Sequence, residues 1–387
     1  MMLTKGKKIF AFLLMLSGIA LFVERAGLYS TLSTSKINSM LQERQTVNVH
    51  EKTSPCPTFA PQATPTCPLL QEGMHPLSAE PPFSCRLQEI QRKCKERNLN
   101  SKFQRSHSFK YGASMPLLMC ELPKVASTTW QAVLMKLNGF PGDVTKELLH
   151  RYAYSQFPHK TLVRVDDEQA ERIIKQFTTF MITRHPFERL VSAYFDKFTN
   201  RSDMTSYRRN AGVKIARNQS PEFLHGIRMT SAVGDMVALK SSPEFSALGK
   251  QQQDDVIRYR HVLRSGEISF QQFIRHVLTH TRNVNSHTMD VHWRPQVLLC
   301  QPCALNYSMV MRFENLVTES NRLLKFVQRD LDINFTFPGA NKPATQNTIT
   351  AKAMQLISEA DVNRLRDLYA DDFYVLGHDP YRYSGKN

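Results

Sequence analysis

Apolar positions along this chain fall into two rhythms. Short stretches rich in apolar and β-branched residues, "PLLMCEL" over 116–122, "FTTFMIT" over 177–183 and "YSMVMRF" over 307–313, read as strands. Each is followed closely by a stretch whose apolar positions recur every three or four residues, as a helix requires: "TTWQAVLMKLNG" (128–139), "HPFERLVSAYFDKF" (185–198) and "ENLVTESNRLLKFVQRDL" (314–331). "DDEQAERIIKQF" (166–177), "SFQQFIRHVLTH" (269–280) and "SEADVNRLRDLY" (358–369) have the same helical spacing. The punctuation agrees. Gly139 closes the first helix, an Asp caps the helix over 166–177, Pro186 sits where its missing N–H is harmless, and Ser358 with Asp361 forms a cap. Strands alternating with helices predict an α/β fold with a mostly parallel sheet flanked by helices. Ligands of such sheets bind beyond the carboxyl ends of the strands.

The N-terminal pattern is different. Lys5, Lys7 and Lys8 precede Ile9–Val23, fifteen uncharged and mostly apolar residues, and Glu24 and Arg25 follow. As a helix this run is about 22 Å long, short of the roughly 30 Å hydrocarbon core, so it spans only with flanking lysines that snorkel and a thin bilayer. A cleaved signal peptide is the alternative. Small residues at a cleavage site are missing, since Val23, Glu24 and Arg25 stand there, and an uncleaved signal-anchor is the expectation. Residues 53–82 hold eight of the chain's twenty prolines and read as an extended stalk. The expected plan is a cytoplasmic tail over 1–8, a transmembrane helix over 9–28, a lumenal stem over 29–100 and one folded domain over 101–387.

Charge and cysteine content sharpen this plan. Fifty Lys plus Arg against thirty-four Asp plus Glu leave a net charge of +16, a field that draws polyanions. A lumenal location excludes nucleic acid and leaves acidic glycans and nucleotides. Seven cysteines in such a compartment favour disulfides, whose connectivity spacing does not fix. Sequons stand at Asn200, Asn218, Asn306 and Asn334.

Two loops carry the candidate chemistry. Pro123, Lys124, Val125, Ala126, Ser127, Thr128 and Thr129 join a strand to a helix N-terminus, where unpaired N–H groups favour a phosphate-like anion. The hydroxyls add donors and Lys124 adds charge, but the glycine-rich Walker spacing is absent, so the usual mode of ATP binding is not supported. Helix capping by the hydroxyls is the plain structural alternative. The second loop opens the next helix with Arg184, His185, Pro186, Phe187, Glu188, Arg189, Leu190, Val191 and Ser192. An arginine fork and a hydroxyl there suit a second phosphate, whereas an Arg184–Glu188 pair is the plain alternative.

"PKVASTTW" and "RHPFERLVSAY" together resemble the two nucleotide-binding segments of the Golgi carbohydrate sulfotransferases, in the chondroitin, dermatan and glucuronyl-glycan branch. "DVHWRPQVLLCQPC" (290–303) and "MRFENL" (311–316) are similar to the same branch, and the resemblance runs from about residue 110 onward. It implies a phosphate-binding-loop-like architecture and 3′-phosphoadenylyl sulfate (PAPS) as donor, with no metal. Residues 123–129 would hold the 5′-phosphosulfate, with Lys124 at the bridging oxygen. Residues 184–192 would hold the 3′-phosphate, chiefly through Arg184 and Ser192, with Arg189 as a helper. Ser127, Thr129 and Gln131 depart from the common pattern, in which Cys, Asn and a basic residue are frequent. The implied partner is an acidic glycan or proteoglycan acceptor, with chondroitin or dermatan N-acetylgalactosamine 4-O as the position and the Golgi membrane as the site.

The acceptor hydroxyl needs a base, and His292 is the first candidate, with His185 and Glu314 as fallbacks. Two rival readings remain. His287, His292, Cys300 and Cys303 are zinc-ligand types, though closely spaced. Asp330-Leu331-Asp332 matches the metal-binding pair of glycosyltransferases, although it ends a predicted amphipathic helix. A basic glycan-binding protein without catalysis is a third class.

Overall fold

Five strands make one sheet in the order β3-β1-β2-β4-β5, with β1 at Phe109–Gly112, β2 at Leu117–Cys120, β3 at His159–Thr161, β4 at Thr178–Thr183 and β5 at Met309–Arg312. Every residue of β2 and β4 is buried, which is why neither carries a charged side chain. The computed structural model describes residues 77, 82–99, 102–112, 115–140, 159–199, 206–219, 236–279, 289–328, 336–338 and 346–384. The expected tail, the transmembrane segment and most of the stem lie outside these residues, as do Asn200, His287, Asp330, Asp332 and Asn334. Among the described residues no helix is long and apolar enough to cross a membrane.

The sheet is mixed rather than mostly parallel. β2 runs parallel to β4 and β4 to β5, with Met119 opposite Phe180 and Met181 opposite Val310. β1 is antiparallel to both β2 and β3. The two antiparallel strands are short and each carries a lysine, so neither gives the apolar run that marks a buried strand. A turn suffices to join β1 to β2, whereas the parallel pairs need helical crossovers.

Fourteen α-helices are assigned within the described residues. The first is α1 (Phe83–Glu96), inside the range read as stem. It packs through Phe83, Ile90 and Cys94 on the sheet core, and Cys94 is disulfide-bonded to Cys303. Then come α2 (Ser127–Leu137), α3 (Asp167–Gln176), α4 (Pro186–Tyr194) and α5 (Ser206–Gln219). Two short helices, α6 (Met236–Lys240) and α7 (Pro243–Ser246), lead to α8 (Lys250–Ser265), α9 (Phe270–Leu278) and α10 (Gln296–Cys300). The chain continues through α11 (Leu316–Gln328), α12 (Gln346–Met354), α13 (Glu359–Leu368) and α14 (Ala370–Leu376).

The expected start signals are in place. Asp166 accepts from Gln169 N–H at the head of α3, and Ser358 accepts from Asp361 N–H at the head of α13. Gly139, at φ +82°, follows α2 in the left-handed conformation that a glycine tolerates. Two cores result. One surrounds the sheet, where Trp130 of α2 lies 4.6 Å from the Phe180 ring of β4. The other is helical and gathers around α4, using Phe187, Leu190, Phe273, Leu365 and Phe373 among others. β4 feeds directly into α4, so this junction couples both cores.

Arg86 of α1 holds Glu319 of α11 through two hydrogen bonds of 3.0 Å, with both side chains at least nine-tenths buried. The same carboxylate accepts from Arg312 N–H at the end of β5, at 2.8 Å. Removing one member of a buried pair strands the other without water. Glu319→Ala is expected to cost about 3–5 kcal/mol of unfolding free energy, read from urea denaturation; a loss within 1 kcal/mol of zero would contradict the role given to this pair.

Candidate functional site

The loop after β2 is shaped by its backbone. Lys124 and Ala126 both adopt positive φ, at 74° and 67°, which costs a non-glycine residue of order 1–3 kcal/mol. Left-handed residues in a turn direct amides toward a common point, an anion-binding device. Ala126 is the N-cap of α2 and offers no side-chain cap. Among the described residues, the hydroxyls of Ser127, Thr128 and Thr129 have no hydrogen-bond partner within the protein. They are therefore not spent on capping. Val125 is buried in the sheet core, while Ser127 and Thr129 are half-buried and Thr128 is exposed.

The second segment meets the first. Arg184, just past β4, is buried and donates from Nη1 to the Lys124 carbonyl at 2.9 Å. Its Nε faces Glu188 Oε2 at 3.4 Å, and its guanidinium stacks 4.2 Å from the Phe313 ring centre. Burial lowers its pKa, against the pull of Glu188 and Glu314. The surface pairing with Glu188 weighed from the sequence is thus an interior one, and it leaves Nη2 without a protein partner among the described residues. Ser192 lies one turn beyond Glu188 on α4, half-buried, its hydroxyl likewise unpartnered there. Pro186 starts the helix; Phe187, Leu190 and Val191 point into the helical core and contribute position rather than contact.

Lys124 Nζ sits 3.2 Å from Asp196 Oδ2, which sequence reasoning missed. Asp196 is carried by a π-helical turn, Phe195–Thr199, at the end of α4. Burial lowers the Lys124 pKa, and Asp196 opposes that fall. For Asp196 burial acts upward, but Lys124 and Lys197 together bring its pKa down. Asp196 thus acts to keep the lysine protonated, and Lys124 acts to keep the carboxyl ionised. His292 lies close enough to lower Asp196 further. Its Nδ1 is 2.6 Å from Asp290 Oδ1, so in the neutral ring Nδ1 carries the proton and Nε2 the lone pair. Burial lowers the His292 pKa and so favours the neutral base, against the hydrogen bond that Nδ1–H donates to Asp290.

Arg189 corrects the sequence reading. Its fully buried guanidinium donates to Pro123 O at 3.0 Å, Arg294 O at 2.7 Å and Val291 O at 2.6 Å. Each nitrogen is taken by a backbone carbonyl, so Arg189 ties the first loop to the 291–294 segment rather than holding a ligand. Gln296 plays a matching part at Arg184, accepting from its N–H at 3.0 Å and donating to its carbonyl at 2.8 Å. Asp372 of α14 in turn accepts from Gln296 N–H and Val297 N–H, both at 2.8 Å. Burial pushes the Asp372 carboxyl up to about 6, opposed by these N–H donors.

Several other candidates fall elsewhere. His185 accepts from Phe187 N–H at Nδ1 and donates from Nε2 to Asp379 O, so both nitrogens serve the fold. Glu314 is exposed in a 3-10 turn, Phe313–Asn315. Cys300 is disulfide-bonded to Cys120 and Cys303 to Cys94, which takes both thiolates from any zinc site. Gln131, where a basic residue is common, donates to Glu121, which also pairs with Lys110. A groove of about 800 Å³ lies toward the other end of the strands, lined by Ser84, Phe103, Arg105, Thr179 and Ser308 among others, and shares no residue with either loop. Pockets of this size can hold ligands, but the strand-tip rule and the unspent donors favour the loops.

Residues 107–379 match a family model described as "Sulfotransferase family". Carbohydrate sulfotransferase 11 of Rattus norvegicus is 26% identical over 266 residues, covering 68% of this chain and 64% of that protein. Carbohydrate sulfotransferase 8 of Homo sapiens is 25% identical, covering 69% of this chain and 53% of that protein. Both matches thus span less than two thirds of those relatives. Carbohydrate sulfotransferase 10 of Rattus norvegicus is 27% identical over 332 residues, covering 83% of this chain and 82% of that protein. No solved structure matches.

The histidine under the second segment yields a pH test. Burial holds His185 down to about 4, against an ordinary value of 6.5. The unfolded ring takes up a proton below about 6.5 while the folded ring resists, so stability present at neutral pH is lost as pH falls toward 4. This difference is worth roughly 3 kcal/mol, and buried His378, also lowered, acts in the same direction. His185→Asn, which keeps a capping oxygen, is expected to flatten the fall in urea-unfolding free energy between pH 6.5 and 4. An undiminished slope would show that His185 does not carry it.

Proposed function

This chain belongs to the sulfotransferase family, and from that premise we propose that it transfers a sulfuryl group from PAPS to a hydroxyl of an acidic glycan. The observation that carries this reading is the set of donors that the fold leaves unspent at two adjoining strand tips: the hydroxyls of Ser127, Thr128, Thr129 and Ser192, and Nη2 of Arg184. Lys124 stands between them, 3.2 Å from a carboxylate partner that an anion can replace.

When bound, the donor supplies the sulfuryl group and a phosphate leaving group. Residues 123–129 take the phosphosulfate end, through first-turn N–H groups and hydroxyls. Arg184 and Ser192 take the 3′-phosphate. The Lys124 ammonium neutralises charge as the bond from sulfur to the bridging oxygen breaks, a demand shared with phosphoryl transfer. His292 Nε2 accepts the proton of the attacking hydroxyl, while Asp290 keeps the ring oriented and stabilises the imidazolium.

Two finer points, the acceptor and the placement, belong to the same proposal. The acceptor is chondroitin or dermatan, at the 4-hydroxyl of N-acetylgalactosamine; the branch resembled by the loops and a net charge of +16 support a polyanionic glycan. The chain is placed in the Golgi membrane as a single-pass type II protein with its catalytic domain lumenal. The apolar run Ile9–Val23 and two disulfides, which persist in oxidising compartments, support that placement.

Incubating the purified protein with labelled PAPS and a panel of desulfated glycans tests the reaction, and label on none of them would overturn it. Binding of a sugar nucleotide in place of adenosine 3′,5′-bisphosphate would instead point to glycosyl transfer. Lys124→Ala is expected to lower kcat by about 10²–10³-fold with an unchanged melting temperature; near-normal turnover would remove the lysine from the chemistry. His292→Gln is expected to remove the acidic limb of the pH–rate profile, and a profile like that of the parent protein would assign the base elsewhere.

A further inference from the structure

After α14 the chain doubles back across the junction of β4 and α4. His378 Nε2 lies 2.8 Å from Thr183 Oγ1, and the Asp379 carbonyl accepts from His185 Nε2 at 2.9 Å. Arg366 holds the Pro380 carbonyl at 3.1 Å. Tyr383 donates to Glu188 Oε1 at 2.6 Å, with its ring edge-on to His185 at 5.0 Å. The strap is therefore pinned on both sides of Arg382.

Arg382 itself is held more loosely, its guanidinium 5.6 Å from the Tyr383 ring centre. Its Nη1 is 3.6 Å from Glu188 Oε1, beyond hydrogen-bond distance, and its side chain is 37% exposed. Glu188 is already engaged by Tyr383 and by Arg184 Nε. The carboxylate thus holds the Arg382 guanidinium nearby by charge without using up its donors. One helical turn along the same face of α4 is Ser192, a neighbour at the i+4 spacing.

A phosphate gripped by Arg184 and Ser192 is short of positive charge. Arg184 offers one nitrogen, its other two being occupied within the protein, and Arg189 is consumed by three carbonyls. We propose that Arg382, delivered by the strap, is a further ligand of the 3′-phosphate of the nucleotide donor. This rests on the donor reading above. The family match ends at residue 379, so the residue lies outside the region that the family model covers.

Binding of adenosine 3′,5′-bisphosphate and of adenosine 5′-monophosphate to the full chain, measured by calorimetry, tests the assignment. Arg382→Gln is expected to weaken the bisphosphate about tenfold and to leave the monophosphate unchanged, since one charge-assisted bond is lost at the 3′ end alone. Arg382→Lys, which keeps the charge without the fork, is expected to lose less, and serves alone if the Gln variant does not fold. No loss for the bisphosphate, or an equal loss for both nucleotides, would overturn the role of Arg382 and leave the donor reading standing. Failure of the parent protein to bind the bisphosphate at all would overturn the donor reading itself.

Discussion

A guanidinium buried with no carboxylate in hydrogen-bonding contact must find oxygen acceptors in the backbone, and Arg189 finds them in two separate segments. That requirement fixes how far Pro123 can stand from Val291 and Arg294. It thereby fixes the spacing between Lys124, which follows the first of these carbonyls, and His292, which lies between the other two. The ammonium and the imidazole stand on different loops with no secondary-structure ladder between them. The buried arginine supplies the rigidity that a sheet supplies elsewhere.

The same logic recurs at Arg184. Gln296 pairs with both backbone groups of this residue as a neighbouring strand would, and Asp372 holds the Gln296 backbone from behind. Such a chain of polar contacts is costly to bury unless every member is satisfied, and here most donors meet an acceptor. Beside this chain of contacts the hydroxyls of Ser127, Thr128, Thr129 and Ser192 stay unspent.

Much of this was legible in the sequence. Buried strands announced themselves as stretches rich in apolar and β-branched residues because β2 and β4 are covered on both faces, and the helices carried visible caps. β1 and β3 stayed hidden, since three- and four-residue strands bearing Lys110 and Lys160 have no periodicity to read. α1 hid behind the prolines before it. Both candidate loops stand out because their donors are local in sequence, and the bond from Arg184 to the Lys124 carbonyl brings them together. Asp196 and Gln296 give no local signal because their relevance comes from contacts across the fold, and a buried arginine such as Arg189 looks in sequence like a ligand-binding one.

One cross-link bears on how this molecule can be made. Cys120 closes β2 three residues before Pro123 and is joined to Cys300, at the end of the helix that Gln296 begins. The sulfur bridge therefore ties the base of the first loop to the base of the segment bearing the imidazole. A bacterial cytosol, where glutathione keeps thiols reduced, would yield a polypeptide lacking this tie, whereas a host with oxidative folding machinery can install it. Recombinant preparations of equal purity can thus differ in whether the two halves of the cleft are held in register.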